Sequence, residues 1–152
     1  MLYKTCRLYC SDPNDREDLG QEILIQLWRS YPTFDGRSLF STWMYRVALN
    51  TAISFMRSEV TRKRHVESGG SLLMEFAQAP ETESADVRTM YQLITSMDPL
   101  HRALILLYLD GNSYEEIAVI LGISVTNVAT KLNRVKNTMK QDAAVKLQEG
   151  KG

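Results

Sequence analysis

The chain has 152 residues, with 18 basic side chains against 18 acidic ones and no formal net charge. A composition of 44% hydrophobic and 24% charged residues belongs to a chain that folds around a core, which excludes wholly disordered, collagen-like and mucin-like classes, and the length fits one domain or two very small ones. No apolar run reaches the roughly 18–20 residues of a membrane-spanning helix, and no charged-then-apolar leader opens the chain, so a cytoplasmic protein without membrane insertion is expected.

Residues 2–10 read as the end of a helix carrying Cys6 and Cys10. Without export, these are expected to be reduced thiols packed as small apolar side chains. There is no CxxC or HxxxH spacing, and His65 and His101 lie far away, so no metal and no other cofactor is expected. Ser11-Asp12-Pro13-Asn14 is turn chemistry with a ready N-cap, followed by a first turn loaded with Asp15, Glu17 and Asp18. Leu19, Ile23, Leu24, Leu27 and Trp28 then recur at threes and fours, predicting an amphipathic helix that ends near Tyr31-Pro32. Residues 33–39, with Asp35-Gly36, read as a loop. A second helix is predicted over residues 41–57, with Trp43, Met44, Val47, Ala48 and Thr51 on one stripe.

Past Ser58 the periodicity fades, and the stretch to residue 85 reads as a linker in which Leu72-Leu73-Met74 and Phe76 form a short docking turn. Helical period returns over residues 86–97 through Val87, Met90, Tyr91 and Ile94, and Asp98-Pro99 starts another helix through Leu104, Leu107 and Tyr108. Nothing reads as a strand. The expected fold is all-α: two small helical domains at residues 1–60 and 86–152 joined by a flexible linker at 61–85.

The neutral sum hides a polarised chain. Residues 37–64 hold Arg37, Arg46, Arg57, Arg62, Lys63 and Arg64 against Glu59 alone, residues 74–98 are acidic, and residues 124–140 carry Lys131, Arg134, Lys136 and Lys140 with no acid. Two basic zones flanking an acidic one suggest local attraction to a polyanion at two places, although charge alone fits ordinary solvated faces better.

The second basic zone follows the most informative segment, residues 111–128. Ser113 and Glu116 have capping-box spacing, Ala118 is small where two helices cross, Gly122 can end a helix in the left-handed conformation, Ile123 plugs the core and Ser124 caps the next helix. This order predicts a helix-turn-helix. The following helix separates a core stripe (Val125, Val128, Leu132, Val135, Met139) from a face of amides, hydroxyls and cations, which suits a DNA major groove. In the first half, Phe40-Ser41-Thr42-Trp43-Met44-Tyr45-Arg46 interleaves aromatics with a cation, a pattern that can stack on unpaired bases, though Trp43 also fits a core position.

Residues 15–28, with Phe34 and the run Phe40 to Asn50, resemble region 2 of bacterial sigma-70 family factors, and Ser-Tyr-Glu-Glu-Ile-Ala through Leu-Gly resembles region 4. With both regions and no others, the chain is similar to the small extracytoplasmic-function (ECF) group. The helix-turn-helix alone also resembles the output domain of LuxR-type regulators, which leaves a regulator acting without polymerase docking as the alternative. The ECF resemblance implies a promoter-specificity factor with no catalysis of its own, partnered by core RNA polymerase (β′ clamp helices and β flap), promoter DNA and an anti-sigma factor.

Carried onto this sequence, the resemblance implies polymerase contacts at Asp18, Gln21, Glu22, Leu27 and Trp28. It implies −10 element contacts at Phe34, Phe40, Tyr45, Arg46, Asn50 and Arg57, with the loop between Phe34 and Phe40 holding a flipped base. It implies −35 element contacts at Asn127, Ala129, Thr130, Lys131, Asn133, Arg134 and Lys136. Two of these depart from the common pattern: Ala129 offers only apolar contact, and Lys131 lacks arginine's bidentate fork. The resemblance also leads one to expect an N-terminal truncation, since Met1 falls inside the first helix of region 2.

Overall fold

In the computed structural model the described backbone comprises residues 1–66 and 84–149, with side chains over 1–62 and 84–145. Every element among them is helical: α1 (Leu2–Tyr9), α2 (Pro13–Ser30), a 3-10 turn (Tyr31–Thr33), α3 (Phe40–Val66), α4 (Ala85–Thr95), α5 (Pro99–Leu109), α6 (Tyr114–Leu121) and α7 (Val125–Glu149). The chain divides into two compact units, Met1–Thr82 and Glu83–Gly152. The expected docking turn at Leu72, Leu73, Met74 and Phe76 and most of the expected linker lie outside the described residues.

In the first unit α1, α2 and α3 pack on one another. Asp12 caps α2, accepting from the backbone N–H of Asn14 at 2.7 Å and of Asp15 at 3.2 Å, with Pro13 where a missing N–H costs nothing. Arg16 turns back to donate to the carbonyls of Cys10 (2.9 Å) and Ser11 (3.0 Å), which satisfies the end of α1. Leu19 and Ile23 of α2 are fully buried and form the core of this unit together with the buried Leu8 and Tyr9 of α1 and Ala48, Leu49 and Ala52 of α3. Both cysteines are free and buried, and burial, with Asp15 adding to it, pushes the Cys10 thiol up to about 12. Such a thiol carries almost no thiolate and packs as the sequence suggests.

The predicted α2 stripe splits. Leu24 and Trp28 are 56% and 83% exposed, because α1 and α3 cover only the side of α2 that holds Leu19 and Ile23. The second predicted helix also runs past Arg57 to Val66. There the hydroxyls of Ser58 and Thr61 donate to the carbonyls of Phe55 and Arg57, and Arg62 pairs with Glu59 at 2.6 Å. The ion pair supports this solvated stretch of helix, which has no apolar period to reveal it.

The second unit is built around α5. Ala103, Leu104, Ile105, Leu106 and Leu107 are buried in succession, as a helix must be when α4, α6 and α7 all pack on it. Asp98 caps α5 through the N–H groups of Leu100 (3.0 Å) and His101 (3.1 Å) and also engages the His101 ring. Arg102 ties the junction by donating to the carbonyls of Met97 and Thr95. The capping box forms as expected, Ser113 N–H donating to Glu116 and Glu116 N–H to the Ser113 hydroxyl. Gly122 takes φ +68 and the N–H of Ile123 closes onto Ala118 at 3.1 Å, ending α6 before Ser124 caps α7. Three expectations shift here. Ile123 and Met139 are only half-buried, and Val125, in the first turn of α7, is 41% exposed, so the fully buried α7 stripe is Val128, Leu132 and Val135.

Two stability tests follow from these helix ends. No atom lies within 4 Å of a Cβ built on Gly122, so Gly122→Ala meets backbone strain alone and is expected to cost about 1–2 kcal/mol in chemical denaturation, with Gly122→Asn costing less. At Asp98, partial burial works to raise the carboxyl, but the hydrogen bonds and charge of His101 and the Leu100 N–H outweigh it and hold it below the usual range. A depressed folded value means stability that is present above the unfolded pKa, near 4, and lost as pH falls through the folded one. Asp98→Asn keeps the cap and is expected to flatten that acid-side loss when thermal midpoints are measured from pH 5 downwards.

Candidate nucleic-acid interface

Three exposed surfaces collect the sequence-predicted residues. On α2, Asp18, Gln21 and Trp28 are exposed and Glu22 half-buried, and at 100° per residue all four fall on one side of the helix. Glu22 accepts from Gln26 at 2.7 Å, which holds its carboxylate outward-facing but ordered. Leu27 is not brought to this face: it is half-buried and about 180° from Asp18, continuing the Leu19–Ile23 side. Ile25, missed in the sequence, sits at the middle of the face, 43% exposed; its spacing of four from Gln21 and seven from Asp18 was the available signal. A groove of about 660 Å³ runs beside it, with Asp18, Gln21, Glu22 and Ile25 on one wall and Asn50, Ser54 and Phe55 of α3 on the other.

The second surface is the loop into α3. Asp35 accepts from the Arg37 N–H at 3.0 Å and pairs with its guanidinium at 3.2 Å around Gly36, whose φ of +74 allows the tight turn. This folds Phe34 back onto Phe40 (ring centroids 5.5 Å) and Trp43 (5.4 Å), while Phe40 stacks on Trp43 at 5.3 Å and 28°. Tyr31, which the sequence did not single out, closes the cluster edge-on to Phe40 and Trp43. Trp43 is half-buried within it, a core element of the loop rather than of the helical bundle. Phe40 keeps 48% of its surface exposed, an aromatic face already fixed in place.

From Trp43 the exposed side of α3 continues through Arg46, Asn50 and Arg57, all within about 60° around the axis. Cations and an amide in line with an aromatic face are the groups that can stack on bases and meet phosphates of a single strand. Tyr45 stands apart from this row, half-buried and about 100° from Arg46.

The third surface is α7. Asn127, Thr130, Asn133 and Arg134 are exposed opposite the buried Val128, Leu132 and Val135, with Thr126 beside them. The Ser124 hydroxyl accepts from the Asn127 N–H at 3.1 Å and so fixes the first turn, where base edges would be met. Ala129 and Lys131 are half-buried on opposite flanks. Lys136 lies on the Ala129 flank with its ammonium 3.9 Å over the Tyr108 ring of α5.

Residues 1–62 match the family described as Sigma-70 region 2, and residues 88–139 match Sigma-70, region 4. Over 139 residues the chain is 33% identical to the ECF RNA polymerase sigma-E factor of Escherichia coli, covering 82% of this chain and 72% of that one. The factor of the same description from Haemophilus influenzae is 32% identical over 139 residues, at 81% and 71% coverage. Among solved structures the fold is shared with the sigma factor RpoE in complex with the anti-sigma factor NepR from Bartonella quintana (TM-score 0.72, 22% identity, 92% of this chain and 88% of that one). It is also shared with CnrH in complex with the cytosolic domain of CnrY (TM-score 0.65, 21% identity, 95% and 80%).

The aromatic cluster yields its own test. Phe40→Ala removes one stacked and two edge-on ring contacts, and is expected to lower stability by at least about 1 kcal/mol in chemical denaturation and to weaken the near-ultraviolet circular dichroism of the folded chain.

Proposed function

The chain belongs to the ECF RNA polymerase sigma factors of the sigma-70 family, and from that membership we propose how its surfaces divide the work of promoter recognition. As a sigma factor it binds core RNA polymerase and directs initiation at particular promoters. A regulator acting without polymerase leaves unexplained why residues 1–62 match region 2 ahead of the helix-turn-helix.

The α2 face of Asp18, Gln21, Glu22 and Trp28 docks on the β′ clamp helices of the polymerase. Its large exposed indole among polar groups supports this, since a rigid aromatic anchor ringed by polar contacts is how a small interface concentrates its energy. The Phe34–Phe40 loop and the row Arg46, Asn50 and Arg57 take the −10 element once melted. Extruding a base costs a few kcal/mol, and stacking on an aromatic face returns about 1–3 kcal/mol per base, so a preassembled platform offsets most of that cost.

The outer face of α7 reads the −35 element in the major groove. Arg134 and Asn127 are suited to purine edges, and the methyl of Ala129 to a thymine. Residues 1–60 then act as region 2 and residues 86–152 as region 4, the latter also meeting the β flap. The factor carries out no chemistry of its own and works in the cytoplasm with the polymerase. An anti-sigma partner that holds the free chain is part of the same reading, supported by one fold neighbour that was solved in complex with an anti-sigma factor.

The observation that carries the reading is the union, on one chain and in family order, of an aromatic-basic α3 surface and an acid-free outer face on α7. Run-off transcription with core polymerase on a pool of genomic fragments tests it. Added chain is expected to give new transcripts that share paired upstream elements, and Arg134→Ala to lower yield from them about tenfold through lost −35 contacts. A pool that yields no new transcript in the presence of the chain would refute the assignment.

A further inference from the structure

Among the cations of the −35 helix, Lys136 is seated differently. Its ammonium lies 3.9 Å over the centroid of the Tyr108 ring, and the Tyr114 ring stands beside that one at 6.4 Å between centroids. Tyr108 is near the end of α5 and Tyr114 opens α6, so one side chain of α7 meets both helices on which it packs. Around the axis Lys136 is about 80° from the buried Val128 and about 140° from Lys131, at one edge of the exposed face. Tyr108 above all, and Tyr114 after it, hold the ammonium more strongly protonated than an ordinary lysine.

The core contacts of α7 are aliphatic: Val128, Leu132 and Val135. Aliphatic packing is non-directional and leaves a helix some freedom to roll on its neighbours. A cation over an aromatic face is directional and placed off to one side, where it opposes such a roll. Reaching out to a phosphate would forfeit that contact and bare the ring of Tyr108.

We infer that Lys136 is a positioning residue, which by its seat on Tyr108 beside Tyr114 fixes how α7 lies on α5 and hence which side chains meet the −35 element. It does not itself neutralise a phosphate. The inference rests on the reading of α7 as the −35 helix, and its test separates the two.

Holoenzyme assembled from core polymerase and the full chain is titrated with matched and substituted −35 duplexes over a range of salt. Lys136→Met is expected to lower discrimination between them about fivefold while leaving the slope of log affinity against log salt unchanged. Lys136→Arg, which keeps a cation able to lie on the ring, restores discrimination, and Tyr108→Leu reproduces the loss and adds nothing to Lys136→Met. In the unsubstituted chain the Lys136 ε-methylene protons resonate upfield, shielded by the Tyr108 ring, a signature that needs no variant to fold. A slope reduced by about one, with equal weakening on every sequence, makes Lys136 a phosphate contact and overturns the inference. Unshifted ε-methylene protons, or discrimination untouched by Lys136→Met, overturn it as well. Arg134→Ala is the control: if it leaves −35 discrimination intact, the reading of α7 fails, and the inference falls with it for that separate reason.

Discussion

Each unit is so small that a helix within it can have only one side covered, and the rest of the molecule follows from that constraint. In the first unit the covered side of α2 is Leu19 and Ile23, and α3, which packs on α2, buries the small Ala48 and Ala52 completely. What is left over, Leu24, Ile25 and Trp28, stays exposed. The second unit escapes the constraint at one helix. By burying five successive residues of α5, it supplies a hub on which α4, α6 and α7 each need present only a narrow stripe. The broad outer face of α7 is left uncovered because the buried run 103–107 of α5 takes only its narrow apolar stripe.

Rigidity is concentrated where a nucleic acid would have to be met without delay. The ends of α6 and α7 are set by a capping box, a left-handed glycine and a serine cap, and the loop into α3 by an Asp35–Arg37 clasp and four aromatic rings. None of these needs a ligand to form. The ordering entropy of the platform is met in folding, so binding does not bear it again.

Helix ends and the turn motif were plainly written in the sequence, because caps are local: Ser113 with Glu116, Gly122, Ser124 and Asp98 each act within a few residues. The resemblance to two sigma regions was legible for the same reason. What the sequence hid was set by neighbours distant along the chain. Leu24 and Leu27 look equivalent in a periodicity count, yet only one side of α2 is covered, and that choice belongs to α1 and α3. Tyr31 joined the aromatic cluster only once the Gly36 turn brought Phe34 and Phe40 back to it. The run of α3 to Val66 left no apolar trace, since it lies along a wet surface with polar side chains and the Glu59–Arg62 pair in place of core contacts.

The contrast between the two tryptophans gives the molecule a pair of built-in optical reporters. Trp28 stands 83% exposed on α2 with no ring partner among the described aromatic contacts, whereas Trp43 is wedged among Tyr31, Phe34 and Phe40. Trp28 therefore emits from water and shifts to shorter wavelength when a partner covers α2, while Trp43 emits from an apolar, ring-lined setting and is disturbed only when the loop into α3 rearranges. A partner covering α2 and a rearrangement of the loop into α3 would thus carry separate spectral marks in a chain with just these two indoles.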